Sequence, residues 1–280
     1  MLTIKFELPE SEWVEVVPIG DCHIGNPLCS ESDLKKTIDY VLEEPDDPKG
    51  ARICLLNGDL TESVTRTSKG NAFEMVYTPS VQVALMTKYL LPLTETSKKY
   101  PQGKILSYCA GNHDYGRYND TGISSAETIA VNLGLQDRFS TDGCYSFIYV
   151  HRIQEGKANG RVAHTLYNQH LTGGSSTVGG KASRIARVSN GVIADVIVGS
   201  HVHLPLTFKE DIIIPNPQKG VLSQNTITYL ITNAFLRYGD YAQRSSMKPS
   251  TISVPSVFLM QGRETHHRDD KRFTYTEVKL

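Results

Sequence analysis

The chain has 280 residues, of which 39% are apolar and 21% are charged, with 13 proline and 22 glycine residues. This composition excludes a disordered chain and a fibrous repeat, and it predicts a globular protein. The formal net charge of −1 lacks the basic excess typical of proteins that bind a nucleic-acid backbone, so any such contact is expected to be local.

The first half of the sequence predicts short apolar strands that each end in polar residues. Residues 14–19 are the first such strand and lead into Asp21, and residues 53–56 are the second and lead into Asp59. A third strand, over residues 105–110, leads into Asn112. Apolar residues at helical spacing predict the intervening helices, over residues 32–42 and 81–93.

The same pattern continues in the second half. Residues 161–167 form a predicted strand that runs into His170, and residues 192–198 form another that runs into His201 and His203. Because the carboxyl ends of strands in an α/β sheet are where ligands gather, we expect these polar turns to form one site. The remaining predicted elements are helices over residues 125–133 and 182–190 and strands over residues 144–150, 226–232 and 256–260.

The length fits one large domain. We predict a single domain over residues 1–280, with the site in residues 20–203 and with residues 204–280 completing a second sheet. Five isolated cysteines without a C-x-x-C motif indicate reduced thiols, and the N-terminus has no signal-peptide core or membrane span. A cytoplasmic protein without a membrane partner is therefore expected; the oligomeric state is left open, and a dimer is compatible with the sequence.

The polar turns carry residue types that bind divalent cations. Alternate residues of an extended segment share a face, so Asp21 and His23 are expected to reach one cation while Cys22 points away. Carboxylate, amide and imidazole ligands together suit manganese, iron or zinc better than thiolate-loving metals. Seven ligands exceed the needs of one tetrahedral zinc, so we expect two ions that share the carboxylate of Asp59. The candidate ligands are Asp21, His23, Asp59, Asn112, His170, His201 and His203.

The order of these motifs, Asp-x-His, Gly-Asp, Gly-Asn-His-Asp, His and Gly-x-His-x-His, resembles the calcineurin-like metallophosphoesterase superfamily. The resemblance implies an α/β fold, a four-layer αββα sandwich of two mixed β-sheets flanked by helices. It also implies two divalent metal ions, with manganese preferred and iron, zinc, magnesium, nickel and cobalt as alternatives. In the implied ligand sets, Asp21, His23 and His203 hold the first ion, Asn112, His170 and His201 hold the second, and Asp59 bridges them.

The spacing of the motifs further resembles phage-type or prophage-type members of that superfamily. The resemblance rests on the long segment after Asp59 and on the glycine-rich stretch before Lys181. Two features depart from the common pattern: Ser200 stands between Gly199 and His201, and His170 has no glycine neighbour. Neither departure removes a ligand.

The predicted function is the hydrolysis of a phosphate ester by attack of a metal-bridging hydroxide on phosphorus. In this mechanism His113 protonates the leaving oxygen, and Asp114 holds the His113 ring in the required tautomer. A phosphodiester of a nucleic acid or nucleotide is the preferred substrate, because loops bearing Tyr and Arg could stack on a base. The alternatives are a phosphomonoesterase acting on a phosphoprotein or small metabolite, and an inactive binding protein with this fold.

Several further residues are candidates for substrate contacts. Tyr115, Arg117 and Tyr118 follow the His113 motif and could meet the leaving group by charge and stacking, with an exposed loop as the alternative. Lys181 could bind a phosphate after the glycine-rich stretch, although the pattern favours a solvated helix face. The pair His266-His267 is interpreted as a polar turn rather than a metal site.

Overall fold

The computed structural model describes residues 1–65, 72–154, 157–175, 177–239, 252–260 and 272–278, and for residues 152–154, 157–159 and 272–278 it describes the backbone alone. The pair His266-His267 lies outside the described residues. The strands are β1 (Leu2–Leu8), β2 (Trp13–Ile19), β3 (Gly50–Asn57), β4 (Ile105–Cys109), β5 (Phe139–Ser140), β6 (Gly143–Gln154), β7 (Lys157–His170), β8 (Val196–Ser200), β9 (Leu206–Asn216), β10 (Val221–Ile231), β11 (Val254–Met260) and β12 (Arg272–Val278). The α-helices are α1 (Glu31–Leu42), α2 (Pro79–Leu90), α3 (Asn112–Thr121), α4 (Ser125–Asn132) and α5 (Val178–Ala186).

The strands form two mixed sheets. The first sheet has the order β1-β6-β7-β8-β10-β9, and the second has the order β12-β11-β2-β3-β4-β5. In the second sheet β2, β3, β4 and β5 run parallel, and in the first sheet β7, β8 and β10 run parallel. Each parallel run therefore brings the carboxyl ends of neighbouring strands to one edge.

Three apolar clusters show that these sheets lie between helical layers. The middle cluster joins the inner faces of the two sheets, for example Ile53 and Leu55 of β3 with Val196 and Val198 of β8. The alternate residues of β3 face an outer cluster with α1, α2 and α4, and a third cluster packs α5 against Ile197 of β8. The predicted four-layer sandwich of two mixed sheets flanked by helices is confirmed.

Burial on both faces explains why the central strands were recognisable in the sequence. Every residue of β3 is buried, so the strand reads as a continuous apolar run rather than an alternating one.

Pro79 begins α2, where its missing N–H and fixed φ are tolerated. Ser124 accepts a hydrogen bond from the Glu127 N–H and thereby caps α4.

The described strands after residue 204 divide between the two sheets, whereas the sequence pattern predicts that residues 204–280 complete the second sheet. The strands β9 and β10 extend the first sheet, whereas β11 and β12 extend the second. Strand β10 pairs with β8 in parallel, and β11 pairs with β2 in antiparallel fashion. The chain therefore crosses between the sheets after β10, which strand patterns alone do not reveal because both sheets have buried inner faces.

Three elements differ from their predictions. Strand β1 pairs with β6 at one edge of the first sheet, although its alternation was too short to be recognised. Helix α3 replaces an expected loop after Asn112 and ends at Gly122, which adopts a φ of 70°. Helix α5 begins at Val178, earlier than predicted, because the Thr177 side chain accepts a hydrogen bond from the Gly180 N–H and caps it.

None of the helices in the described part of the chain combines the length and apolar character that crossing a bilayer requires.

A buried ion pair ties the second sheet to α1. Arg52 Nε donates to Glu15 Oε2 at 2.8 Å, and both residues are buried. Tyr40 on α1 donates its hydroxyl to the same carboxylate, and its backbone carbonyl accepts from Arg52 Nη1 at 2.8 Å. The guanidinium also stacks on the Tyr40 ring, with its central carbon 3.6 Å from the ring centroid. The pair is thus enclosed by partners on several elements.

We expect Arg52→Met to lower the free energy of unfolding by about 3–5 kcal/mol, because it leaves the Glu15 carboxylate buried without its cation. Urea unfolding followed by circular dichroism measures the change. Lys36→Met is the control, since Lys36 forms an exposed pair with Asp33 and its loss should cost less than about 1 kcal/mol. Equal losses in the two variants would show that the buried pair does not stabilise the fold.

Candidate metal centre

The predicted site lies where both sheets present the carboxyl ends of strands. Asp21, Asp59 and Asn112 follow the neighbouring strands β2, β3 and β4 of the second sheet. His170 ends β7, and His201 follows the adjacent strand β8 of the first sheet. Hydrogen bonds between the two sheets hold these strand ends together. His170 Nδ1 lies 3.0 Å from the Asn57 carbonyl oxygen, and Asn57 Nδ2 donates to the Gln169 carbonyl at 3.2 Å.

One cluster of side chains contains Asp21, His23 and His203. Their potential ligand atoms all lie within 4.8 Å of one another. His203 Nε2 lies 3.3 Å from Asp21 Oδ1, and His23 Nε2 lies 4.0 Å from the same oxygen. This is the set that the resemblance assigned to the first ion.

A second cluster contains Asp59, His170 and His201, again with ligand atoms within 4.8 Å of one another. His170 Nε2 lies 3.1 Å from Asp59 Oδ2 and 2.9 Å from Asn112 Oδ1. The backbone N–H of His201 donates to Asp21 Oδ2 at 2.8 Å and so joins the two clusters. All seven predicted ligand residues are therefore brought together at one place.

The backbone at most of these residues is left-handed, which corrects the extended geometry expected for Asp-x-His and His-x-His. The φ angles are 48° at Asp21, 49° at His23, 49° at Asp59, 80° at His201 and 49° at His203. Such angles are uncommon outside glycine and persist only where surrounding contacts enforce them. Here the Asp21 N–H donates to the Gly58 carbonyl at 3.0 Å, and the His23 N–H donates to the Asp59 carbonyl at 3.0 Å.

Two glycines permit this close approach. A Cβ at Gly111 would lie 2.1 Å from Asp59 Oδ1, and a Cβ at Gly58 would lie 2.6 Å from His170 Nδ1. Gly58 also has a φ of 81°. The glycines of the Gly-Asp and Gly-Asn motifs are thus required by the space around Asp59 and His170.

The residues fit a bound metal ion. Asp21 Oδ1 and His23 Nε2 are buried and have no hydrogen bond of good geometry within the described ranges, and the nearest nitrogen to Asp21 Oδ1 is His203 Nε2, itself a candidate ligand, at 3.3 Å. Burying such atoms without a partner is costly, and a carboxylate oxygen and an imidazole nitrogen are ordinary ligands of divalent cations. A cation between them would satisfy both atoms.

The acidic and histidine side chains of the site shift one another's pKa values. Burial would raise the pKa of Asp59, but His170 and His113 outweigh it and hold this pKa well below its ordinary value. Burial would likewise lower the pKa of His170, but the Asp59 carboxylate raises it to about 10. Burial and the neighbouring His170 lower the pKa of His201 to about 4. The second cluster therefore pairs a carboxylate with an imidazolium in the metal-free protein.

The structure corrects the role of Asp114. Its carboxylate is buried and accepts a hydrogen bond from the Gly111 N–H at 2.9 Å, so it caps α3 and does not orient the His113 ring. His113 Nδ1 instead lies 2.6 Å from the carbonyl oxygen of Glu62. Burial of the Asp114 carboxyl raises its pKa to about 6.

The predicted substrate residues on α3 stand beside the site. Tyr115 and Tyr118 are 41% and 52% exposed, so both phenol rings are available to a ligand. Tyr115 donates its hydroxyl to the Thr141 carbonyl at 2.9 Å. Arg117 is partly buried, and burial lowers the pKa of its guanidinium. The loop expected here is a helix, which fixes these side chains relative to His113.

Lys181 has a different surrounding from the solvated helix face that the pattern favoured. Its Nζ donates to the Val202 carbonyl at 2.7 Å, between the two histidines of the His-x-His motif. Arg184 donates to the Thr172 and Gly174 carbonyls and so holds the glycine-rich loop. Lys181 thus contacts the loop that carries His201 and His203.

Two residues around the site were missed in the sequence. Glu62 contacts both His23 and His113, and its position three residues after Asp59 was the available signal. Ser200, which the sequence showed only as a departure from the common motif, donates its hydroxyl to the Asn57 carbonyl and lies 2.8 Å from His170 Nδ1. The extra serine therefore helps to fix a ligand ring.

We expect His170 in the metal-free protein to titrate near pH 10 and Asp59→Asn to lower its pKa sharply, because the Asp59 charge stabilises the imidazolium. NMR titration of ¹⁵N-labelled histidine measures both values. The pKa of His170 in the folded protein lies above the ordinary value of 6.5, so protonation of His170 stabilises the fold. This contribution is fully present below about pH 6.5 and is lost as the pH rises through about 10.

Asp211→Asn is the control for this titration, because Asp211 is exposed on β9 and bonds only with residues of β10 in the described contacts. An unchanged His170 pKa in Asp59→Asn would show that Asp59 does not set it.

The sequence matches no protein-family model and no curated protein. Among solved structures, it is similar to a conserved uncharacterized protein of Streptococcus pneumoniae TIGR4, described as a predicted phosphoesterase, with 9% sequence identity, a TM-score of 0.38, and coverage of 95% of this chain and 89% of that chain. It is also similar to Vps29 of Chaetomium thermophilum, with 11% identity, a TM-score of 0.35, and coverage of 95% and 93% of the two chains. These identities are too low to transfer any property of either neighbour to this chain.

Proposed function

We propose that this chain is a binuclear-metal-dependent phosphoesterase. The observation that supports this proposal most strongly is the pair of ligand clusters, each containing a carboxylate and imidazoles within 4.8 Å, joined by the bond from His201 to Asp21. Neighbouring sites of this composition suit two first-row divalent cations. The buried His23 Nε2, which has no hydrogen-bond partner within the described ranges, supports the same proposal, because a cation would satisfy it.

The proposed ligands divide as the clusters do. Asp21, His23 and His203 hold one ion, and Asn112, His170 and His201 hold the other, with Asp59 shared. When bound, two such ions supply Lewis-acid stabilisation of the phosphate and activation of a water nucleophile. Asp59 Oδ1 also accepts a hydrogen bond from the His113 N–H at 2.9 Å, which fixes the carboxylate on the side of α3.

His113 is the proposed proton donor to the leaving oxygen. A carbonyl oxygen can only accept, so Nδ1 of His113 carries a proton directed at Glu62, and Nε2 is the nitrogen that exchanges a proton with the substrate. Burial would lower the pKa of His113, but Asp59 and Glu62 raise it above its ordinary value. A raised pKa is the direction that favours the imidazolium form needed for a general acid.

A phosphodiester of a nucleic acid or nucleotide is the proposed substrate class. Tyr115 and Tyr118 expose their rings on the helix that begins with Asn112 and His113, so a base attached to the scissile phosphate could stack there. The same helix carries Arg117, a further group that could contact phosphate. A monoester of a phosphoprotein or small metabolite is the competing class, and it would not need the exposed rings.

An elemental analysis and an ester panel on one preparation test this proposal. We expect about two equivalents of divalent metal after loading with Mn²⁺, as the two-ion arrangement requires, and faster cleavage of bis-p-nitrophenyl phosphate than of p-nitrophenyl phosphate. Asp59→Asn should lose the most metal, because it removes the shared carboxylate, whereas Asp211→Asn should retain it. No bound metal would contradict the proposal, and preferential cleavage of the monoester would reverse the substrate class.

His113→Ala should keep its metal content and lower turnover by about 10²- to 10⁴-fold, because it removes the proton donor without removing a ligand. Steady-state kinetics and metal analysis of the same sample measure both effects. His151→Ala is the control, since His151 lies on β6 and contacts Glu7 at 3.1 Å. Loss of metal in His113→Ala would instead make His113 a ligand.

A further inference from the structure

Glu62 contacts two different imidazole rings of the site with two different chemical groups. Its carboxylate Oε2 lies 2.9 Å from His23 Nδ1, and its backbone carbonyl oxygen lies 2.6 Å from His113 Nδ1. Glu62 is 7% exposed, and the rings of His23 and His113 meet edge to face with centroids 4.7 Å apart. One residue therefore contacts both a proposed metal ligand and the proposed proton donor.

The contact with the carboxylate determines which nitrogen of His23 is free. A carboxylate accepts a hydrogen bond, so Nδ1 of His23 carries a proton, and Nε2 is the nitrogen whose lone pair a metal ion would use in the neutral ring. That nitrogen is buried, has no hydrogen-bond partner within the described ranges, and lies 4.0 Å from Asp21 Oδ1. The Glu62 side chain thus directs the ligand atom of His23 toward the first cluster.

The main chain around Glu62 is held independently of its side chain. The Glu62 N–H donates to the Ile24 carbonyl at 2.9 Å, and the Ser63 N–H donates to Gln82 Oε1 at 2.9 Å. The Ser63 hydroxyl lies 2.7 Å from that of Thr61. The backbone carbonyl that contacts His113 should therefore keep its place when the carboxylate is removed.

We propose that Glu62 is a positioning residue whose carboxylate fixes the tautomer and aim of His23 for metal binding, whereas its backbone carbonyl alone orients His113. The inference rests on the proposed function in that it takes His23 as a metal ligand. Its particular consequence is a separation of effects: removing the side chain should weaken metal binding, while the contact between the Glu62 carbonyl oxygen and His113 Nδ1 stays in place. Outer carboxylates of this kind typically change metal affinity by about 10- to 100-fold.

Titration calorimetry with Mn²⁺ and steady-state kinetics on Glu62→Ala, Glu62→Gln and the unchanged protein test this inference. We expect Glu62→Ala to raise the Kd for Mn²⁺ by about 10- to 100-fold. Turnover at saturating Mn²⁺ should fall by less than about 10²-fold, because the carbonyl contact with His113 remains although the carboxylate that helps to raise the His113 pKa is lost. Glu62→Gln should recover most of the affinity, because its amide oxygen can still accept from His23 Nδ1. Urea unfolding of both variants identifies any loss of fold, and the Gln variant keeps the test decisive if the Ala variant unfolds.

Glu31→Ala is the matched control, because Glu31 uses its carboxylate on α1 to accept from the Tyr89 hydroxyl at 2.8 Å. It should leave the Kd for Mn²⁺ unchanged. An unchanged Kd in Glu62→Ala together with a turnover loss of 10²-fold or more at saturating Mn²⁺ would overturn the inference, because the carboxylate would then act on the proton donor.

A measurement without metal separates this inference from the proposed function. In ¹⁵N spectra of the metal-free protein, we expect Glu62→Ala to shift the His23 Nδ1 resonance more than that of His113, because only His23 loses a hydrogen-bond partner. Failure of the unchanged protein to bind Mn²⁺ would overturn the proposed function, while the His23 shift would still decide whether Glu62 fixes that ring. A shift at His113 and none at His23 would overturn the inference.

Discussion

The carbonyl oxygen of Asn57 is the point at which the two sheets are fastened beneath the candidate metal centre. It lies at the end of β3 in one sheet, and the groups that meet it, His170 Nδ1 and the Ser200 hydroxyl, belong to β7 and β8 of the other. The Asn57 side chain adds a second connection, because its Oδ1 accepts from Asn168 Nδ2 at 3.1 Å and from Cys109 Sγ at 3.0 Å. Ser107 completes this buried set by donating to Asn168 Oδ1 at 2.8 Å.

A buried polar network of this kind specifies one alignment of the sheets, because sliding them would strand several donors and acceptors away from water. The middle apolar cluster specifies the alignment less sharply, because hydrophobic attraction has no directional preference. The alignment in turn decides whether the turns after β2, β3 and β4 meet those after β7 and β8. The left-handed backbone at His201 is tied to the same alignment, because the His201 N–H donates to Asp21 Oδ2 across the two sheets.

Much of this arrangement was predictable from the sequence. The central strands are buried on both faces, so β2, β3 and β4 appear as apolar runs, and the polar residues that follow them identified the ligand set. Helix α3 was not predictable in the same way, since Asn112–Thr121 lacks apolar residues at helical spacing and is held by Asp114 at one end and Gly122 at the other. Asp114 was misassigned because adjacency in sequence suggested a contact with His113 that the helix directs elsewhere. The sheet membership of β9 to β12 was hidden for another reason, as strand patterns do not specify which inner face they cover.

Both ligand clusters draw side chains from the two sheets at once. In the first cluster, Asp21 and His23 follow a strand of one sheet and His203 follows a strand of the other. In the second, Asp59 and Asn112 follow strands of one sheet, and they face His170 and His201 of the other. A cation in either cluster would consequently contact side chains that follow strands of both sheets. A ligand that binds only the folded protein stabilises the folded state by mass action. The packing of the two sheets and the binding of a cation between them would therefore be thermodynamically coupled.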